Sequence, residues 1–200
     1  MTRDMTLTSA VLPNRSLAVN GLLALGGAAV ISVAAQVSVP MFPVPITLQT
    51  LAILTIGMAF GARLAAVTLL VYLSYGLMGL PVFAKGMNGV AFAGPTAGFL
   101  VGYVGMAYLA GLMTDRGVRN VFALAAGSLV ISALLYIPGV AWAMSADALL
   151  GLDTSKWGAD SFASIWKWYM SPFLIGDAVK AVIAAMVIGG GWQALRALKR

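Results

Sequence analysis

The chain has 200 residues, 61% of them hydrophobic and only 9% charged, with a net charge of +6. A soluble domain carries roughly 25% charged residues, so this sequence lacks the polar surface that a globule in water needs, and its outer face must meet lipid. Histidine, cysteine and glutamate are absent and all six acids are aspartates, which excludes zinc, haem and iron–sulfur ligation and any Ser-His-Asp or Cys-His nucleophile.

A spanning helix needs about 20 largely apolar residues. Charges and Pro/Gly clusters divide this chain into six apolar runs. After a polar cytoplasmic segment over residues 1–16, the first span covers 17–37. The second, 48–60, is short and is expected to lean or to be partly buried. The remaining spans cover 64–80, 97–113, 121–137 and 172–195. If six helices alternate, Arg3, Arg15, Arg63, Arg116, Arg119, Arg196, Lys199 and Arg200 fall on one side, and only Lys85, Lys156 and Lys167 on the other. The positive-inside rule then puts both termini in the cytoplasm of a multi-pass cell-membrane protein. The cations sit between apolar runs rather than in one patch, so the positive charge points to a bilayer and not to nucleic acid. The first apolar run is longer than a signal-peptide core and is expected to be retained. No internal repeat or linker divides the chain, so one integral-membrane domain over 1–200 is expected.

The outer connections are long: 38–47, 81–96 and 138–171. Long connections are uncommon unless functional or disordered, and these carry Phe42, Phe83, Phe92, Trp142, Trp157, Trp166 and Trp168. In the third, Phe162, Ile165, Trp166 and Tyr169 share the spacing of one helix face, with Asp160 as its N-cap. This face fits either an interfacial helix or a lid.

The strongest chemical signal is Ile175-Gly176-Asp177-Ala178-Val179-Lys180. With Ser171 as N-cap and Pro172 as first helical residue, Asp177 lies roughly 8 Å and Lys180 roughly 12 Å into the last helix. Three residues apart, they share a face. Charges inside a span are costly and face a partner, a cavity or water; an ion pair that only holds the bundle together is the alternative. A second signal is Val39-Pro40-Met41-Phe42-Pro43-Val44-Pro45-Ile46-Thr47-Leu48-Gln49-Thr50, whose three prolines exclude a regular helix and whose Thr47, Gln49 and Thr50 offer hydrogen bonds. A third runs from Gly79-Leu80-Pro81-Val82-Phe83 through Lys85 and Asn88 to Gly94-Pro95-Thr96-Ala97-Gly98. Its glycines let backbone approach a ligand, and the following helix start suits an anionic or carbonyl oxygen. Each loop alone could be a rigid connector. All three signals lie at the same side, as the walls of a small-molecule pocket would.

Val44-Pro45-Ile46-Thr47-Leu48-Gln49-Thr50, Gly79-Leu80-Pro81-Val82-Phe83, Gly94-Pro95-Thr96-Ala97-Gly98 and Gly176-Asp177-Ala178-Val179-Lys180 resemble, in order, the signature stretches of the BioY family. BioY is the biotin-specific substrate-binding (S) component of energy-coupling factor (ECF) transporters. Lys85 stands where loops of this family often carry glycine. The resemblance implies a six-helix S component that is not an enzyme and needs no cofactor, has biotin as its transported ligand, and works with a transmembrane coupling protein and paired ATPases. ATP is then used only by those partners, in agreement with the absence of a phosphate-binding G-x-x-x-x-G-K-[ST] loop from this chain. Biotin has a fused-ring urea at one end and a carboxylate at the other. Asp177 would accept the urea N–H groups, Asn88 or Gln49 would pair with the urea oxygen, Thr47 would add a polar contact, and Phe42 and Phe83 would cover the rings. Lys180 would either neutralise Asp177 or reach the carboxylate. The small-residue stripe Ala24, Ala28 and Ser32 is spaced by fours and suits close helix contact. The resemblance implies that it docks the coupling protein; packing inside the bundle is the alternative. The other functional readings are an S component for a different vitamin-like ligand, a purely structural membrane protein, and a membrane enzyme acting on a lipid head group. The last lacks the second intramembrane carboxylate that such chemistry wants.

Overall fold

The computed structural model describes residues 6–198. Arg3, Lys199 and Arg200, three of the cations used for orientation, lie outside the described residues. The chain is all-α apart from one small hairpin. Its helices are α1 (Leu7–Val11), α2 (Leu17–Gln36), α3 (Gln49–Phe60), α4 (Ala62–Leu77), α5 (Ala97–Asp115), α6 (Val121–Leu150), α7 (Phe162–Ile165) and α8 (Leu174–Leu198). Four of them, α2, α5, α6 and α8, are long and apolar enough to cross a membrane; α3 and α4 are shorter apolar helices.

Helix α5 lies at the centre, packed on α3, α4 and α6. Small residues make this possible. A Cβ on Gly57 of α3 would stand 2.8 Å from the Ala107 carbonyl of α5, so only hydrogen fits where the two backbones meet. Lipid gives helices no hydrophobic drive to associate, so close packing has to hold the bundle. The large apolar side chains turn outward instead: Leu22, Val30 and Val33 on α2, Val130 on α6, and Ile175, Val179 and Met186 on α8 are all exposed. Buried positions on α8 are filled by Ala181, Ala184, Ala185 and Gly189.

Ala24 and Ala28 also face inward, at 2% and 0% exposure. Helix α2 packs on α4, and a Cβ on neighbouring Gly27 would meet Thr68 and Phe60 side chains. Ser32 is half-buried and turns its hydroxyl back to the Ala28 carbonyl, 2.8 Å away. The stripe Ala24–Ala28–Ser32 is therefore an internal seam, and the expectation of a docking face on it is corrected. Spacing by fours defines a stripe but not the direction it faces.

The N-terminal segment gains a helix, and three other expectations change. The polar N-terminal segment contains the short helix α1, capped by the Thr6 hydroxyl and held to the bundle where the Thr8 hydroxyl donates to the Ala59 carbonyl at 3.0 Å. The fifth helix does not stop at Pro138 but runs on to Leu150. Proline removes one ladder bond and crowds the carbonyl a turn earlier. The contact with α5 outweighs this: Gly98 leaves room for the Pro138 carbonyl, and the Trp142 indole donates to the Gly94 carbonyl at 2.9 Å. In the remaining outer segment, Ser161 rather than Asp160 caps α7, accepting from the Ser164 amide. Beyond α7 the chain makes a π turn over Trp166–Met170. Of the apolar face expected there, Ile165 and Tyr169 are buried, while Phe162 and Trp166 are exposed. Finally, Ser171 is not the cap of the last helix, because its own amide still donates to Trp166 in the π turn. Helix α8 starts at Leu174, so Asp177 and Lys180 lie only about 5 Å and 9 Å from its start.

Candidate functional site

Asp177 and Lys180 stand near the start of α8, with side chains 15% and 9% exposed and the ammonium 3.6 Å from carboxylate Oδ1. The Tyr136 hydroxyl on α6 donates to Asp177 Oδ2 at 2.6 Å. Lys180 Nζ donates to Thr50 Oγ1 on α3 at 3.1 Å. Three helices thus meet in one charge-assisted network, and the first-turn position of Asp177 adds the favourable end of the helix dipole. Neither charge is left alone in apolar surroundings, which would be costly.

This network forms one wall of a small cavity of about 40 Å³, with Thr47, Thr50, Phe99, Tyr103 and Tyr169 among the other lining residues. Tyr169 comes from the π turn, and its hydroxyl donates to the Trp157 carbonyl at 2.9 Å. Burial pushes this phenol above its ordinary pKa, so it remains a donor.

A second cavity, of about 120 Å³, adjoins the first through the shared residues Val44, Pro45, Phe99 and Tyr103. The proline-rich loop reaches both because it folds as a hairpin: Ser38–Val39 pairs antiparallel with Ile46–Thr47, and the Phe42–Pro43 peptide is cis. Gln49 and Phe83 line this second space. Gln49 is fixed at both ends of its amide. Thr47 Oγ1 donates to its Oε1 at 3.0 Å, and its Nε2 donates to the Tyr72 hydroxyl at 2.7 Å. That hydroxyl donates on to the Val82 carbonyl at 3.1 Å. Phe83 is 2% exposed and stands edge-on to Tyr72, with ring centroids 5.3 Å apart. It fits because Gly76 has no side chain; a Cβ there would enter the ring.

Of the residues singled out in the sequence, Thr47, Asp177 and Lys180 line the first cavity and Gln49 and Phe83 the second. Phe42 is 61% exposed and lines neither. Asn88 turns to its own loop: it accepts from the Val90 amide and donates to the Gly79 carbonyl, both at 3.3 Å. Sequence reading missed Tyr72, Tyr103 and Tyr136. Their signal was a phenol in the middle of an apolar run, where the hydroxyl needs a partner. Among the described residues no group of three or more acidic, His or Cys side chains could hold a metal ion.

A bundle with an apolar outer surface and a partly charged cavity is built to hold a small polar-ended molecule within a membrane. A model of the BioY family matches residues 5–197. The chain is 35% identical over 176 residues to the biotin transporter BioY of Rhodobacter capsulatus, covering 83% of this chain and 88% of that one. It is 36% identical over 163 residues to the biotin transporter BioY of Rhizobium etli, covering 76% and 79%. Its structure resembles the crystal structure of the S-component for biotin from an ECF-type ABC transporter, with a TM-score of 0.67 and 21% identity over 94% of this chain and 96% of that one. This chain belongs to the BioY family.

Proposed function

We propose that the protein captures biotin from the outer side of the cell membrane and mediates its uptake as the substrate-specific component of an ECF-type transporter. It is a transport protein rather than an enzyme, and biotin is cargo rather than cofactor. The observation that carries this reading is the buried Asp177–Lys180–Tyr136–Thr50 network opening onto a cavity, in a chain 35% identical to a biotin transporter. Asp177 keeps acceptor capacity for the urea N–H groups of biotin beyond its bond from Tyr136. Gln49, fixed by Thr47 and Tyr72, keeps one amide N–H for the ligand, and Phe83 with Phe99 covers the rings.

In this reading the whole chain is one substrate-binding unit of six spans, α3 and α4 completing the four long helices. Both termini are cytoplasmic. Arg15 and Arg63 share one groove with Asp115, and Arg119 stacks on Trp192 near the end of α8. These cations fit the inner face, and Lys85, Lys156 and Lys167 the outer. A coupling protein and paired ATPases supply the energy, since the chain carries no phosphate loop.

Calorimetric titration of the purified protein with biotin, alongside other water-soluble vitamins, tests the reading. Tight binding of biotin alone is expected. Preference for another vitamin would move the ligand assignment, and binding of none would refute a capture role.

A further inference from the structure

Lys85 is the one non-glycine among the described residues with positive φ, at φ 60° and ψ 29°. A side chain in this left-handed region is disfavoured, and such strain persists only where surrounding structure over-determines the backbone. Here it does. Gln36, the last residue of α2, grips the loop on both sides of Lys85: its Nε2 donates to the Phe83 carbonyl at 3.0 Å, and its Oε1 accepts the Gly86 amide at 3.0 Å. The Phe83 amide closes the ring onto the Met87 carbonyl at 2.9 Å. Glycine would meet this geometry without strain, so backbone shape alone does not account for a lysine.

The side chain accounts for it. Lys85 is the only charged residue lining the second cavity, and no carboxylate pairs with it among the described residues. In the first cavity the cation is already committed, since Lys180 is held by Asp177 and Thr50. A ligand with a polar head against Asp177 and a carboxylate at its far end would pass the shared wall of Val44, Pro45, Phe99 and Tyr103 and end in the second cavity.

We propose that Lys85 is the counter-ion for the carboxylate of the bound ligand and selects acids over their uncharged derivatives. This rests on the biotin reading and assigns to Lys85, rather than Lys180, the recognition of the carboxylate end.

The test compares affinities for biotin and for biotin amide, which keeps the rings and urea but carries no charge. A charge-assisted contact by an exposed ammonium is expected to favour the acid roughly fivefold to tenfold in the unaltered protein. In Lys85→Gly and Lys85→Gln the ratio should fall close to one, and in Lys85→Arg it should persist. The glycine variant suits the loop, so a collapsed ratio there reports lost charge rather than a disturbed backbone. An undiminished ratio in Lys85→Gly, or a ratio near one in the unaltered protein, overturns the assignment while leaving biotin as ligand. Failure of the unaltered protein to bind either compound overturns the biotin reading, and this assignment with it.

Discussion

Replacing Asp177 by asparagine separates the structural from the binding role of the buried pair. Asparagine keeps the size and can still accept from Tyr136, 2.6 Å away in the native protein. Lys180 loses its anion and retains only the Thr50 hydroxyl at 3.1 Å. With side chains 9% and 15% exposed, solvent offers little compensation, and removing one partner of a buried ion pair costs about 3–5 kcal/mol. Asp177→Asn should therefore lower both the melting temperature in detergent and the affinity for biotin. The double variant Asp177→Asn, Lys180→Met carries no stranded charge, and apolar replacement of a buried pair is often neutral or stabilising. Its melting temperature should return close to that of the unaltered protein, while its affinity stays at least tenfold weaker through loss of a charge-assisted hydrogen bond of about 1.5–3 kcal/mol. Thermal melting and calorimetry on the same preparations give both numbers. Native affinity in the stable double variant would refute the reasoning and leave the pair as internal glue.

Three further outcomes are expected. Cysteines introduced at Arg116 and at Lys156 should label from opposite sides of the membrane, and labelling from one side would end the six-span topology. Gly76→Ala drives a methyl group into the Phe83 ring and should cost about 1–3 kcal/mol, as overpacking does, together with affinity for biotin; an unshifted melting temperature would show that the ring moves freely. Ala28→Trp places an indole where the native residue is 0% exposed, so the variant should fail to fold stably; a stable variant that binds ligand but no longer assembles with partners would return the stripe to a docking role.

Much of this protein is a consequence of composition. With 9% charged residues, the chain could only be a membrane bundle, and charges and Pro/Gly clusters punctuated it closely enough that α2, α5 and α6 begin at the residues expected of them, 17, 97 and 121. Asp177 and Lys180 were conspicuous for the same reason, because any charge inside an apolar run demands an explanation. What sequence could not convey is direction. Leucine and alanine are equally at home against lipid and against protein, so the inward turn of Ala24 and Ala28 followed only from how α2 meets α4. Likewise a proline marks a probable helix end, but whether the helix continues past Pro138 depended on Gly98 and Trp142 across the contact with α5. The partners of Asp177 came from residues 41 and 127 to 130 positions away in sequence, Tyr136 directly and Thr50 through Lys180. No local pattern encodes such meetings; they exist because packing brings helices that are distant in the chain side by side, and a buried charge is held only where such a neighbour offers it a partner.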